Sequence, residues 1–245
     1  MALLPRRHEF DELLRLALPV VAVQVGMMLM GVDDTVMVGQ VSPEDLAGVA
    51  LGNIYFFASC IFGMGLLFSL DPVVSQAMGA GDRDAMARGV QRGLVMAFGL
   101  ALLASALLTL AGPVLTLLRQ PPEVVPLAAG YAWASIAGVL PFYGFLVLRQ
   151  TLQAQGTVLA IVVAMAVANV ANVGFNWVLV YGNLGLPELG AVGTGWASSL
   201  SRTLLALGVL FASWPRLHDL LRPLRPEAIR WPPIRRMLGI GAPIG

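Results

Sequence analysis

Charge is scarce in this chain. Of its 245 residues 12% are Asp, Glu, Lys or Arg, about half the share that a soluble domain carries. With 58% of the residues hydrophobic, 14 acids and 15 bases cannot clothe the surface that a soluble fold would expose, so that class is excluded. The chain reads as an integral membrane protein. Lysine is missing altogether, every base being arginine, and a net charge of +1 gives no reason to invoke nucleic acid. A single cysteine, Cys60, lies in an apolar run. It excludes an internal disulfide framework and a cysteine metal cluster, and reads as small core filler. The two histidines, His8 and His218, have no metal-ligand spacing, and no H-E-x-x-H, G-x-S-x-G or Walker loop occurs. The chain therefore carries no enzyme signature. Gly79-Ala-Gly-Asp82 resembles the G-x-G-D of intramembrane aspartyl proteases, but it sits among arginines without a Tyr-Asp partner and reads as a turn.

What is present is a series of long uncharged stretches: Leu16–Val32, Leu46–Leu70, Gly93–Leu118, Val124–Leu148, Gln150–Pro187 and, broken only by Arg202, Leu189–Pro215. A membrane span needs roughly 20 apolar residues, so each stretch holds one helix and the chain is all-α with six spans. The ends of the fifth stretch, Gln153-Ala-Gln-Gly156 and Gly182-Asn-Leu-Gly-Leu-Pro187, read as turns. Asp71-Pro72 reads as the boundary of the second span. The first span is too long for a signal peptide and no small-x-small site follows it.

The arginines order the topology. Those before the first span, between the second and third, after the fourth and after the sixth number 13, against Arg119 alone in the opposite loops. By the positive-inside rule the N-terminus is cytoplasmic. Residues 215–233 interleave proline with charge and read as a cytoplasmic linker rather than a span. Then Met237-Leu-Gly-Ile-Gly-Ala-Pro243-Ile repeats the pattern of Leu13-Leu-Arg-Leu-Ala-Leu-Pro19-Val. This reads as the opening of a second copy, giving a parallel repeat of two six-helix halves. The expected organisation is a six-helix lobe over 1–214, a linker over 215–233 and the start of a seventh helix over 234–245, a fragment of a roughly twelve-span protein.

Polar groups inside spans are the candidate functional residues. Asp34 lies nineteen residues beyond Arg15, roughly 28 Å at helical rise, in the outer half of the bilayer. Asp33 is about 100° away from it around the helix, so the two cannot share a face. They could simply mark the helix end, but Thr35-Val-Met-Val38 is apolar enough to extend the span beyond them. Asn169, Asn172 and Asn176 form one stripe on the fifth span. Such amides either bond between helices or line a solvated pocket or ion site. A carboxylate with amide oxygens suits a proton or a hard cation such as Na⁺, and no soft metal. Arg202 lies mid-span, where it could meet an acid or a helix carbonyl end or snorkel outward. Pro19 removes a backbone donor and should kink or loosen the first span.

With these residues in place the chain resembles the N-terminal lobe of a multidrug and toxic compound extrusion (MATE) transporter, of the NorM or DinF kind. The resemblance rests on Gly31-Val-Asp-Asp34-Thr-Val-Met-Val-Gly39, Pro72-Val-Val-Ser-Gln-Ala-Met-Gly-Ala-Gly-Asp82, Arg149-Gln-Thr-Leu-Gln-Ala-Gln-Gly156, Asn172-Val-Gly-Phe-Asn176 with Gly182, and Leu186-Pro-Glu-Leu-Gly-Ala-Val-Gly193. It implies two six-helix lobes in a bacterial inner membrane that open alternately, exchanging H⁺ or Na⁺ for organic, often cationic, drugs, with no other cofactor. It implies further that Asp34 is the cation-coupling carboxylate, that Asn172 and Asn176 are its polar pair, that the hydroxyl of Thr194 completes the cluster, and that Pro19 is a bending point. Asn169, Tyr131 and Arg202 are expected to line the cavity. Asn176 stands where DinF-like members carry Asp, which favours the NorM-like pattern, and Asp33 has no counterpart. Two rivals stay open. A flippase for lipid-linked oligosaccharides should carry more intramembrane bases than Arg202, and a non-transporting scaffold gives no reason for polar groups aligned at one depth.

Overall fold

A computed structural model describes residues 7–241; of residues 7–17, 19 and 240 it describes the backbone alone. The helices are α1 (Arg7–Val38), α2 (Pro43–Phe68), α3 (Leu70–Gly79), α4 (Arg83–Thr109), α5 (Ala111–Leu117), α6 (Val125–Ala154), α7 (Leu159–Leu179), α8 (Gly190–Ala212), α9 (Trp214–Leu221) and α10 (Trp231–Gly241). Six segments are long and apolar enough to cross a membrane: α1 from Val20, α2 with α3, α4, α6, α7 and α8. The six spans read from the sequence are these.

Two boundaries differ from the sequence reading. The helix that carries the third span begins at Arg83, so Arg83, Arg88 and Arg92 ride on its first turns rather than in a loop. The cause is Asp82, whose carboxylate accepts from the Ala85 amide at 2.8 Å and so caps the helix. Gly79-Ala-Gly-Asp82 is the turn before it. Nor does the second span stop at Asp71: the break falls at Ser69, whose hydroxyl turns back to the Leu66 carbonyl at 2.6 Å, and the helix resumes at Leu70 with Asp71 exposed in its first turn. The helix α1 is continuous through position 19. The extension of α1 to Val38 agrees with the apolar run after Asp34.

The bundle is built around α6. Of its span 67% is buried, against 22% for α1, and it packs on α8, α2 and α4. The seam with α8 is made by glycines. A Cβ on Gly195 would lie 2.7 Å from the Tyr131 carbonyl oxygen, and one on Gly138 would lie 2.9 Å from the Ser199 Cα, so the two backbones touch. Close backbone approach of this kind is how helices associate where lipid supplies no hydrophobic drive. On the far side of α8 lies α7, which in turn packs on α1.

Each end of the bundle is latched by side chains. At the end holding the α1 C-terminus, Asp45 of α2 accepts from the Ala191 amide at 2.8 Å, capping α8 from another helix, while Ser42 donates to the same carboxylate at 2.7 Å. Tyr181 donates to the Met37 carbonyl at 2.7 Å and ties the α7–α8 loop to α1. At the arginine-rich end, Gln91 of α4 donates to the carbonyls of Leu220 and Pro223 and accepts from the Arg225 amide at 2.8 Å, so its side chain grips the segment after α8. Arg225 also pairs with Asp84 at 2.7 Å. In that segment α9 buries Leu217 and Leu220 and packs on α4, and at eight residues it is too short to cross a membrane. The repeat seen in the sequence falls partly on α10; its Pro243 lies outside the described residues.

Placing a branched side chain in the α6–α8 seam should force the backbones apart. Gly195→Val is expected to cost roughly 1–3 kcal/mol, read as an earlier thermal unfolding of the purified protein. Gly99→Ala, at an α4 position with open space around it, should not lower the unfolding temperature.

Candidate functional site

Asp34 is drawn into the bundle because α1 runs a full turn past it and packs on α7 and α8. It is 4% exposed. An uncompensated carboxylate at that burial is costly, and two helices compensate it. Asn176 of α7 donates through Nδ2 to Asp34 Oδ1 at 2.7 Å, and Ser198 of α8 donates to Asp34 Oδ2 at 2.5 Å. The same Asn176 Nδ2 also donates to Asn172 Oδ1 at 3.2 Å, one turn away on α7. The result is a carboxylate held between three helices, with an amide relay behind it. Asn176 Oδ1 and Asn172 Nδ2 are buried and find no hydrogen-bond partner among the described residues.

The sequence expectations meet this geometry unevenly. Asp34, Asn172 and Asn176 come together as anticipated. Asp33, on the other side of α1, is half-buried and outside the cluster. The hydroxyl beside the carboxylate is that of Ser198, not Thr194. Thr194 is buried one turn earlier on α8, where its hydroxyl turns back to the Gly190 carbonyl at 3.4 Å. The signal was available: Thr194, Ser198 and Arg202 repeat every four residues and share one face of α8. Asn169 also stands apart from the cluster, its Nδ2 donating to the Met165 carbonyl of its own helix at 2.9 Å.

Asp34 forms part of the wall of a cavity of about 520 Å³. The wall is mostly apolar, with Met27, Met28, Met30, Met64 and Met165 beside Phe57, Phe142 and Phe145. Methionine and aromatic side chains make an adaptable surface for apolar ligands. The polar groups interrupting it are Gln24, Thr35, Asn53, Asp34, Ser198 and Arg202. Of the three residues expected to line the cavity, Arg202 does so. Tyr131 stands behind the wall and donates to Asn53 Oδ1 at 3.4 Å. Asn169 is absent from the wall because Met165, one turn along α7, occupies it instead.

A cluster of one carboxylate and neutral oxygens can hold a proton or a small hard cation, and the unpartnered Asn176 Oδ1 beside Asp34 fits that use. Removing one of the two donors should leave Asp34 under-bonded and cost about 1–3 kcal/mol. Ser198→Ala is accordingly expected to lower the unfolding temperature and impair transport, whereas Thr194→Val should do neither to a comparable degree. Equal effects in the two variants would contradict this assignment of the hydroxyl.

Comparison with known proteins identifies the family. The MatE family signature matches residues 19–178. The chain is 34% identical over 240 residues to a protein of Edwardsiella ictaluri named multidrug resistance protein MdtK, covering 97% of this chain and 52% of that protein. It is 36% identical over 248 residues to a probable multidrug resistance protein NorM of Bradyrhizobium diazoefficiens, covering 98% of this chain and 53% of that protein. Among solved structures it is similar to the eukaryotic MATE transporter AtDTX14, at 22% identity and a TM-score of 0.85, covering 96% of this chain and 52% of that one. A MOP superfamily transporter from Pyrococcus furiosus gives 20% identity and a TM-score of 0.81. The chain thus spans about half the length of the relatives it matches. The match of the family signature and of these relatives makes the chain a member of the MATE family, of the NorM-like kind.

Proposed function

We propose that this chain is the ion-coupling half of a secondary active multidrug exporter. In this reading residues 1–214 form one six-helix lobe, residues 215–233 a cytoplasmic linker, and residues 234–245 the start of a seventh helix leading to a second lobe of the same chain. The lobe sits in a bacterial inner membrane with its N-terminus inside, the orientation set by the arginines at one end of the bundle. Its substrates are organic molecules, cations among them, taken up by the methionine-rich cavity and released outside as the two lobes rock.

The observation that carries this reading is that the buried carboxylate of Asp34 belongs to two structures at once: it is bonded to α7 and α8, and it forms part of the cavity wall. Protonating it removes the charge that Asn176 and Ser198 satisfy, so the contacts that fix α1 to α7 and α8 weaken when the proton arrives. A carboxylate so placed biases the position of α1, and with it the cavity, between two states. If Na⁺ is the coupling ion, Asp34 with the amide oxygens of Asn172 and Asn176 would hold it, and the ion would supply charge compensation there. In either case export is antiport: an inward-moving cation drives the drug outward.

The test is efflux of ethidium by cells producing the protein from its complete coding sequence. Asp34→Asn keeps the shape and one acceptor oxygen but turns the other acceptor into a donor and loses the titratable charge. Its expected result is normal abundance in the membrane with efflux reduced to the level of cells lacking the transporter. Ethidium efflux at the wild-type rate would remove Asp34 from the mechanism.

A further inference from the structure

A second hollow, of about 490 Å³, runs between α7 and α8 and shares no residue with the cavity that holds Asp34. Its α7 residues, Ala160, Val163 and Val167 among them, fall on roughly the opposite face of that helix from Asn172 and Asn176, so it opens outward. Its rim is apolar and exposed, Leu159 at 75% and Val163 and Val167 at 54% each. Its floor is made of small residues, Ala160 and Ala164 on α7 beside Gly208 and Ala212 on α8. A Cβ on Gly208 would lie 3.5 Å from the Ala164 Cβ, so the helices meet there through very little side chain and leave a trough above the contact. Both helices are membrane spans, and the medium that faces this trough is lipid.

The trough is graded along its length. From Leu159 to Val167 it follows α7 for roughly 12 Å, most of the depth of one hydrocarbon leaflet, and this stretch is lined by aliphatic side chains. At the arginine-rich end of the bundle the lining changes to Thr157 and Arg216. Arg216 is exposed and forms no ion pair among the described residues. Asp219, the acid on its own helix, bonds His218 instead at 3.2 Å. The first turn of α7 lies at the same mouth. It has no side-chain cap and no acid, so the positive end of the helix dipole adds to the charge of Arg216. A cationic, hydrogen-bond-donating mouth above an apolar trough one leaflet deep has the polarity profile of a phospholipid. The arginine fork matches two phosphate oxygens, and an acyl chain matches the trough. No acid lines the mouth to meet the ammonium of a zwitterionic headgroup, which favours a lipid of net negative charge.

We propose that the α7–α8 trough binds one anionic phospholipid from the leaflet at the arginine-rich end, with its phosphate on Arg216 and one acyl chain along Ala160, Ala164, Gly208 and Ala212. The site lies on a face that the Asp34 cavity does not reach and is independent of drug export. A lipid seated there spans both helices, and so braces from outside the pair that carries Asn176 and Ser198.

The test is native mass spectrometry of the protein made from its complete coding sequence, titrated in detergent with dioleoyl phosphatidylglycerol or dioleoyl phosphatidylcholine. The wild type is expected to take its first phosphatidylglycerol about tenfold more tightly than its first phosphatidylcholine. Arg216→Gln should reduce that preference to within about twofold, while Arg119→Gln, at the opposite end of the bundle, should leave it intact. Ala160→Leu, which fills the trough, should weaken both lipids alike. Unfolding temperatures equal to that of the wild type in phosphatidylcholine nanodiscs show that the variants are folded. The proposal is overturned if the wild type shows no preference, or if Arg216→Gln and Arg119→Gln lose it equally, which would make the effect one of total charge. It is overturned as well if Ala160→Leu leaves both affinities unchanged, if water-soluble glycerophosphoglycerol displaces the lipid, or if the wild type forms a dimer that Ala160→Leu abolishes, which would give the trough to a second copy of the chain.

Discussion

The structure turns on a single buried carboxylate. Asp34 sits where α1, α7 and α8 meet, and its hydrogen bonds to Asn176 and Ser198 are cross-links between helices that have few other polar means of recognising one another. In water such bonds would be worth little. In a bundle core the alternative to forming them is a bare charge, so they fix which faces of three helices turn inward. The register of α7 follows, because Asn172 must stand one turn behind Asn176, and so does that of α8, because Ser198 must reach the second oxygen.

The rest of the bundle holds that junction in place without touching it. The close seam of α6 and α8 sets α8 against the most buried helix of the bundle. Asp45 then caps α8 from α2, and Tyr181 returns the loop between α7 and α8 to α1. At the opposite end the grip of Gln91 on the segment after α8 closes the bundle with a neutral side chain, all of whose hydrogen-bonding capacity is directed at backbone. Apart from the Met37 carbonyl that Tyr181 holds, these contacts lie away from Asp34 in sequence. They are the long-range constraints that allow a polar junction to exist in apolar surroundings.

Much of this was legible in the sequence, for a physical reason. Membrane spans announce themselves by the absence of charge, and a polar residue inside one stands out against that silence. Asp34, Asn172, Asn176 and Arg202 were found in this way. The method fails where polarity is cheap. Thr194 and Ser198 can both satisfy their hydroxyls on the preceding turn of their own helix, so spacing alone does not say which of them reaches across to the acid. Asn169 likewise turns its Nδ2 to the Met165 carbonyl of its own helix and stands outside the cluster. Helix ends were blurred by capping: the arginines after Asp82 look like a loop until the Asp82 carboxylate is seen holding the first turn of α4. The stacking of Arg202 on Phe56 joins residues far apart in the chain, and no local pattern announces it.

The glycine seam has a mechanical consequence. With backbone against backbone at Gly138 and Gly195, α6 and α8 have no side-chain layer between them in which to slide, so Ser198 and Arg202 belong to a stationary wall. The helix bearing Asp34, by contrast, is only 22% buried along its span. In the proposed coupling the cavity would then work like a vice with one fixed jaw and one travelling jaw: the hydroxyl and the guanidinium keep their spacing, and the charge on Asp34 sets how far α1 stands from them.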